Sequence, residues 1–343
     1  MMALVGDSSG DRGPARRFAA TLQLVGHRVG RLTGRPRSDA VAGPGTLIFE
    51  PVLVRGAWGR VGSTLLMQLL GTSAEIAFDR AYPCENRCLS SLLRYLEPLK
   101  GRMESPTGHW MDDPDRLWWV DPASFGFEVS GFPLAYDNLG VDRVEVHKES
   151  VLAVWKAFSN ASMPLGERPP RYYAEKYGGY ADVLTTVGIP YRVINLVRDP
   201  RDVVASVLAF DSKRGYYGFG RREEQSDDAY LASLLQAMRR RLDEMVQPLP
   251  GIPVTTVRYE DMVGDLAKVA GRLGDWLGLD LDPVSAVANR SDLGYHRTAA
   301  SDAESIGRWR EDLPADVADR IEGELGAHLD RLSYTRRSIL KVD

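Results

Sequence analysis

The 343-residue sequence contains only two cysteines, Cys84 and Cys88, and no second pair that would complete a metal site. A disulfide framework and a zinc site are therefore not expected, and both thiols are predicted to be reduced. No run of about 18 apolar residues occurs, which argues against a transmembrane helix. The beginning of the chain lacks the apolar stretch of a secretory signal, so we expect a cytoplasmic protein without an integral membrane segment.

The sequence also lacks a strong net charge. Its 43 basic and 47 acidic residues give a formal charge of −4. Nucleic acid is therefore not an expected partner, and any anion pocket must be local. Residues 1–45 are rich in Gly, Arg, Ser, Pro and Asp, which predicts a flexible basic N-terminal arm. Residues 46–343 are predicted to form a single domain.

Beyond the arm, apolar runs of strand length alternate with segments of helical periodicity. This alternation predicts an α/β fold with a central parallel sheet flanked by helices. The aromatic stretch at 101–140 either covers the hydrophobic core or forms part of a binding pocket for an acceptor substrate. The loop at 211–227 is also expected to shape that pocket. The predicted strands are 47–54, 76–78, 143–146, 191–197 and 254–258, and the predicted helices are 64–70, 86–99, 150–158, 172–187, 203–210, 229–245, 265–277 and 315–332.

Residues 47–70 combine an apolar strand, a turn with three glycines and a helix that opens at Ser63 and Thr64. Glycine lets the backbone approach oxygen atoms, and the first N–H groups of a helix have no partner within it, so this arrangement predicts an anion site. An ordinary strand–helix turn is the alternative. A nucleotide-triphosphate loop would carry lysine where Gly62 stands, and here the nearest cation is Arg60. The pattern indicates a phosphate loop without the usual lysine.

Charged side chains follow several predicted strands, at the edge where open α/β sheets bind ligands. Taken singly, each is equally consistent with a solvated surface charge. Together, the cations at three strand ends predict an anionic ligand with two separated phosphate-like groups. The three strand ends with cations carry Arg60 after the first strand, His147 and Lys148 after 143–146, and Arg198, Asp199 and Arg201 after 191–197. The fourth, after 254–258, carries Tyr259, Glu260 and Asp261.

The segment RDPRDVVASVL is the second candidate anion site. Arg198 stands at a strand end, and Ser206 follows eight residues later in the next predicted helix. An arginine fork and a serine hydroxyl are both good donors to phosphate. Pro200 is expected to stop the strand and Asp202 to cap the helix. A simple connection with a capping aspartate and a surface arginine is the alternative.

These two stretches, RGAWGRVGSTLL and LVRDPRDVVASVL, resemble the nucleotide-binding signatures of sulfotransferases that use 3′-phosphoadenosine 5′-phosphosulfate (PAPS). The later VRYEDMVGDLAKVAGRLGDWLGL and SIGRWREDL resemble further parts of bacterial members, so the resemblance spans residues 47–335. It implies the P-loop nucleotide fold and transfer of a sulfuryl group from PAPS to a hydroxyl or amine, without a metal.

The resemblance also implies roles for individual residues. The 5′-phosphosulfate would be held by Arg60, Gly62, Ser63 and Thr64, with Val61 in the place of a serine donor. Arg198 and Ser206 would hold the 3′-phosphate, Tyr259 would lie near the adenine, and Ser305, Gly307 and Arg308 would close over the nucleotide. Lys148 resembles the lysine that neutralises the sulfuryl group.

The general base is left open by the sequence. Cytosolic members place a histidine two residues after the lysine, where Ser150 stands here. His147 has a side chain suited to proton transfer at neutral pH. Glu85 and Asp79 lie in the region where other members place a glutamate, at a slightly different spacing. A histidine bonded to the backbone and a carboxylate at a helix start are the alternative interpretations of His147 and Glu85.

We therefore predict a PAPS-dependent sulfotransferase with a small-molecule acceptor. Trp110, Trp118, Trp119 and Phe125 suggest that the acceptor is apolar or carries a ring. A homo-oligomer is compatible with the sequence. A P-loop kinase of a small metabolite and a non-catalytic binding protein that keeps the pocket are the alternatives.

Overall fold

The structure is a computed structural model that describes residues 48–80, 83–96, 142–161, 170–177, 181–288 and 297–336. The predicted arm at 1–45 and the aromatic stretch at 101–140 lie outside these residues. The elements are β1 (Glu50–Gly56), α1 (Ser63–Leu70), β2 (Ile76–Ala77), α2 (Cys88–Leu96), α3 (Arg143–Ala161), β3 (Tyr172–Lys176), α4 (Ala181–Val187), β4 (Arg192–Val197), α5 (Pro200–Arg214), α6 (Asp227–Val246), β5 (Val254–Arg258), α7 (Tyr259–Gly264), α8 (Leu266–Leu277), α9 (Pro283–Ala288), a 3₁₀ turn (Ala303–Ser305), α10 (Trp309–Asp312) and α11 (Ala315–Arg331).

The five strands form one sheet in the order β2-β3-β1-β4-β5. Every neighbouring pair is parallel, and β1 lies in the middle, with Val52 opposite Ala174 of β3 and Arg192 of β4. The apolar runs in β1 and β4 suit strands that are covered on both faces. The predicted parallel sheet flanked by helices is therefore confirmed.

Alternate residues of β1 enter two separate hydrophobic clusters, one on each face of the sheet. On one face, Val52 and Val54 pack with Leu66 and Leu69 of α1. On the other, Leu53 packs with Val151 and Trp155 of α3. We call these the α1 face and the α3 face. Among the described helices, none is long and apolar enough to cross a membrane, and both cysteines are free thiols.

The predicted strand at 143–146 is wrong, because these residues begin helix α3. Asp142 caps this helix, and its Oδ1 accepts hydrogen bonds from the N–H groups of Val144 (2.9 Å) and Glu145 (3.1 Å). The apolar alternation at 143–146 suggested a strand. The buried side chains of His147, Val151 and Trp155 instead recur every four residues, which is the helical period.

The predicted helix at 172–187 is also wrong in its first half. Residues 172–176 form β3, which is buried along its whole length, and the helix begins only at Ala181. The tyrosines at 173 and 177 are four residues apart, which resembles a helical stripe, but aromatic residues also favour strands. The other predicted elements are present. The helix predicted at 150–158 begins seven residues earlier, the predicted end of 86–99 lies outside the described residues, and the remaining ends differ by a few residues.

Trp155 tests the placement of α3. Its side chain is fully buried, stacks on Phe158 at a centroid distance of 5.2 Å and donates from Nε1 to the carbonyl of Phe49 at 3.0 Å. We expect Trp155→Ala to lower the free energy of unfolding by about 3–5 kcal/mol in chemical denaturation. Tyr95→Ala, at a position 68% exposed, is the control and should change it by less than about 0.5 kcal/mol. Equal effects of the two substitutions would contradict this packing.

Candidate active site

The N-terminus of α1 opens towards a cavity at the carboxyl edge of the sheet. Gly62 precedes the helix with φ 91°, no side chain caps the helix, and its first turn carries no acidic residue. A Cβ atom on Gly62 would lie 2.3 Å from Cδ2 of Tyr259. Glycine is thus required both by the left-handed backbone and by the tyrosine ring. The helix start can therefore accept an anion, as the glycine turn predicts.

Arg60 lies in the same turn and also has a left-handed backbone, with φ 69°. For a residue with a side chain this conformation costs roughly 1–3 kcal/mol, and such strain is frequent at functional sites. The Arg60 guanidinium lies 4.6 Å from the ring centroid of Phe210, and its Nε donates to Ser206 Oγ at 3.2 Å. The resemblance implied that Arg60 and Ser206 serve different ends of the nucleotide, but the structure brings the two side chains into contact.

The loop after α5 packs against this turn. A Cβ atom on Gly59 would lie 2.5 Å from the ring of Phe219, which in turn contacts Phe210 edge-on at 6.1 Å. Arg214 lies over the Phe210 ring at 4.9 Å. The aromatic side chains of α5 and of its loop therefore support the turn that carries Arg60.

Arg198 lies beneath the cavity and connects two parts of its wall. Its side chain is buried, and its two terminal nitrogens donate to the carbonyl oxygens of Arg60 (2.8 Å) and Ser305 (2.6 Å). The guanidinium stacks 4.3 Å from the ring centroid of Tyr259. Arg198 thus joins the α1 turn to the loop before α10.

Asp202 holds the same C-terminal loop from a second point. Its carboxylate accepts the backbone N–H groups of Gly307 (2.7 Å) and Trp309 (3.0 Å). It does not cap α5 as predicted, because the cap is Asp199, whose side chain accepts from Arg201 N at 2.9 Å. Burial raises the pKa of Asp202 to about 6, and the two backbone hydrogen bonds oppose this increase.

The cavity between these elements has an empty volume of about 760 Å³, part of which is open to solvent. The sequence-predicted residues in its lining are Arg60, Gly62, Ser63, Thr64, Ser206, Tyr259 and Ser305, and the residues that sequence reasoning missed are Leu65, Arg297, Thr298, Ala299, Ser301 and Asp302. The polar, irregular stretch at 297–302 offered no periodic signal.

The remaining predicted nucleotide residues lie just behind the lining. The Val61 side chain belongs to the hydrophobic core of the α1 face. Arg308 donates to Thr298 Oγ1 at 2.8 Å and pairs with Asp312 at 2.5 Å. Arg201 is a structural cation that is buried between Asp199 and Glu322.

Lys176, at the carboxyl end of β3, connects the helix start to Glu85. Its Nζ lies 3.0 Å from Thr64 Oγ1 and 2.6 Å from Glu85 Oε1, and it donates to the carbonyl of Pro83 at 2.7 Å. The lysine is buried, whereas the Glu85 side chain is 48% exposed. Sequence reasoning missed Lys176, because β3 was interpreted as a helix.

Neither His147 nor Lys148 is among the described residues that line the cavity. His147 is buried on the helix face that also carries Val151 and Trp155, on the α3 face of the sheet. Lys148 pairs with Glu145 at 3.5 Å. Neither follows a strand, so the reason for expecting them at the site was wrong. Asp79 accepts the N–H of Asn86 at 3.3 Å, next to Glu85.

The profile of the sulfotransferase family matches residues 51–283 of this chain. The match covers more than half of the sequence and includes the α1 turn, Lys176, Arg198 and Ser206. The chain belongs to the sulfotransferase family, and the predicted sulfotransferase fold is confirmed. No curated protein sequence matches it significantly.

Several solved structures are also similar. The sulfotransferase domain from the curacin biosynthetic pathway is 18% identical, with a TM-score of 0.43, over 84% of this chain and 99% of that one. The sulfotransferase domain from the Synechococcus PCC 7002 olefin synthase is 18% identical, with a TM-score of 0.42, over 85% and 98%. Retinol dehydratase in complex with androsterone and inactive cofactor PAP is 14% identical, with a TM-score of 0.39, over 81% and 80%.

Asp202 makes the stability of the protein depend on pH. Because its pKa is higher in the folded protein, the native state holds a proton between about pH 4 and 6 that the unfolded chain has released. The contribution of Asp202 to the free energy of unfolding should therefore fall as the pH rises through this window. The fall amounts to roughly 3 kcal/mol.

Urea denaturation of the wild type and of Asp202→Asn measures this effect. The difference in free energy of unfolding, wild type minus variant, should decrease from pH 4 to pH 7 and stay constant above it. A difference that rises with pH, or that does not change, would contradict the assignment.

Proposed function

We propose that this sulfotransferase transfers a sulfuryl group from PAPS to the hydroxyl or amine of a small, apolar or aromatic acceptor. The observation that carries the proposal is that one cavity joins two sets of anion donors. One set is the uncapped start of α1 with Ser63 and Thr64, and the other is Arg60 with Ser206. A nucleotide with a phosphate at each end of its ribose matches two such sets.

The contact between Arg60 and Ser206 supports a proposal in which both side chains bind the same phosphate. We infer that both bind the 3′-phosphate, with Arg198 supporting the turn from behind through the Arg60 carbonyl. The start of α1 and Lys176 then serve the 5′-phosphosulfate. This division differs from the one that the sequence resemblance implied, in which Arg60 held the phosphosulfate.

Sulfuryl transfer needs few protein groups. The acceptor oxygen or nitrogen forms a bond to sulfur, and the bond from sulfur to the 5′-phosphate oxygen breaks with its electron pair remaining on the phosphate. The acceptor proton must pass to a base. Positioned donors and cations supply most of the catalysis in such reactions, as in phosphoryl transfer.

We infer that Lys176 neutralises the charge on the transferring group and that Glu85 accepts the proton. Lys176 touches both Thr64 at the helix start and Glu85, so these groups lie within one small region. The half-exposed carboxylate of Glu85 is accessible to an acceptor, whereas the His147 side chain is only 1% exposed. A carboxylate within hydrogen-bond reach of the acceptor is a suitable base.

The identity of the nucleotide can be tested by comparing the binding of adenosine 3′,5′-bisphosphate with that of ATP. Adenosine 3′,5′-bisphosphate should bind without magnesium and raise the melting temperature, since a ligand at 100 times its dissociation constant adds about 2.7 kcal/mol to the stability. Stabilisation by ATP with magnesium, but not by the bisphosphate, would instead support the kinase alternative.

Arg60→Ala tests the assignment of the 3′-phosphate in the same assay. Because a charge-assisted hydrogen bond is lost, we expect binding of the bisphosphate to weaken by roughly tenfold to a hundredfold. Binding of adenosine 5′-phosphate, which lacks the 3′-phosphate, should change by less than about threefold. Arg240→Ala, on the exposed side of α6, is the control with the same loss of charge. An equal loss of affinity for both nucleotides would show that Arg60 does not bind the 3′-phosphate.

Glu85→Gln and Lys176→Met test the chemical step. Both variants should turn over PAPS, measured as release of adenosine 3′,5′-bisphosphate, at least tenfold more slowly, because loss of a general base costs about 10²–10⁴ in rate. The affinity of Glu85→Gln for the bisphosphate should remain within about threefold of the wild type. His147→Asn is the comparison. If His147→Asn abolishes turnover and Glu85→Gln does not, Glu85 is not the base.

A further inference from the structure

Glu85 lies on a short segment that two consecutive residues of β3 hold from opposite sides. Side chains of a strand alternate between the faces of the sheet, so Glu175 and Lys176 point in opposite directions. Lys176 binds the beginning of the segment, at Pro83 and Glu85. Glu175 binds its end, at Leu89 and Ser90. We call residues 83–90 the Glu85 segment.

Glu175 caps helix α2 from a distant part of the chain. Its carboxylate accepts the N–H groups of Leu89 and Ser90, both at 2.9 Å, and the Ser90 hydroxyl at 2.5 Å. Tyr173 OH donates a further hydrogen bond at 3.3 Å. The first N–H groups of a helix need such partners, and a negative charge is favourable there. Glu175 thereby fixes where α2 begins.

Because this carboxylate is buried, it needs hydrogen-bond donors around it. Glu175 is 2% exposed, and burial raises the pKa of its carboxyl group while the hydrogen bonds from Ser90 and Leu89 lower it. A buried carboxylate is costly unless donors surround it, so the chain must supply these donors in place. Within the segment, Cys84 has a left-handed backbone with φ 61°. The segment is therefore held in a defined conformation and is not simply a surface turn.

We propose that Glu175 is a positioning residue for the transfer reaction. By holding the start of α2, it fixes the Glu85 segment and so places the Glu85 carboxylate beside Lys176 and Thr64. Glu175 touches neither donor nor acceptor, and it acts through Glu85. The catalytic part of this inference rests on the proposed function, whereas the structural part does not.

The only two cysteines of the chain flank Glu85 and report on the segment directly. Cys84 is buried, at 7% exposure, and Cys88 is exposed. In a Cys88→Ser background, labelling of Cys84 with dithiobis-nitrobenzoate should be slow. We expect Glu175→Gln to accelerate it at least tenfold, because the segment then opens without global unfolding. Glu149→Gln, an exposed site on α3, is the control for loss of an acidic charge.

A milder variant is needed in case Glu175→Gln does not fold. Ser90→Ala removes one donor and leaves the Glu175 charge in place, so it should accelerate labelling by a smaller factor. Labelling rates that stay at the wild-type value in both variants would overturn the structural part of the proposal. Denaturation curves establish that each variant is folded during labelling.

A double-mutant cycle tests the catalytic part. Glu175→Gln should slow PAPS turnover by about tenfold while the dissociation constant for adenosine 3′,5′-bisphosphate stays within about threefold. In the Glu85→Gln background it should cause no further loss, because its effect passes through Glu85. Losses that multiply would overturn the proposal. If Glu85→Gln leaves turnover unchanged, Glu85 is not the base and the catalytic part of this proposal is wrong. If the bisphosphate does not bind, the proposed function has failed, and in both cases the labelling result still decides the structural part.

Discussion

The site depends on one buried cation, Arg198, that binds two backbone carbonyls. Its terminal nitrogens join the turn at Arg60 to the loop at Ser305, and its plane stacks on Tyr259. Within the described part of the chain, its hydrogen bonds go to these neutral carbonyls, and its charge also interacts with the Asp202 carboxylate. A buried guanidinium held mainly by neutral groups favours an anion nearby. The cavity lining includes Arg60, Arg297 and Asp302, so a chain with a net charge of −4 still places two cations at this cavity.

The other groups of the site follow three neighbouring strands at the carboxyl edge of the sheet, β1, β4 and β3. The turn after β1 supplies the start of α1, and β4 leads through Arg198 into α5, which carries Ser206. On the other side of β1, the end of β3 supplies Lys176 and Glu175, which face opposite ways and hold the Glu85 segment. In this order, β4 with Arg198 and Ser206, which are proposed to serve the nucleotide, lies on one side of the central strand β1, and β3 with the groups proposed for the chemical step lies on the other.

Much of this could be predicted from local signals in the sequence. The glycine turn, the strand at 191–197 and the arginine and serine after it are set by backbone requirements and by apolar runs. Lys176 could not be found, because the tyrosines at 173, 177 and 180 have helical spacing in the sequence, although Tyr173 lies in a strand that ends at Lys176. His147 was misplaced because the alternation at 143–146 outweighed the cap at Asp142. The role of Asp202 depends on Gly307 and Trp309, more than a hundred residues away, which no local pattern can reveal.

The central claim is that the two donor sets bind PAPS so that its sulfuryl group can leave for an acceptor. The most direct measurement incubates the full-length protein and its Glu85→Gln variant with sulfur-labelled PAPS and small-molecule extracts, and follows the products by mass spectrometry. The account predicts a labelled organic product that carries one added sulfuryl group, forms without magnesium and is nearly lost in the variant. A label that remains in PAPS with the wild-type protein, although adenosine 3′,5′-bisphosphate binds tightly, would contradict it and indicate a protein that binds the nucleotide without transferring its sulfuryl group.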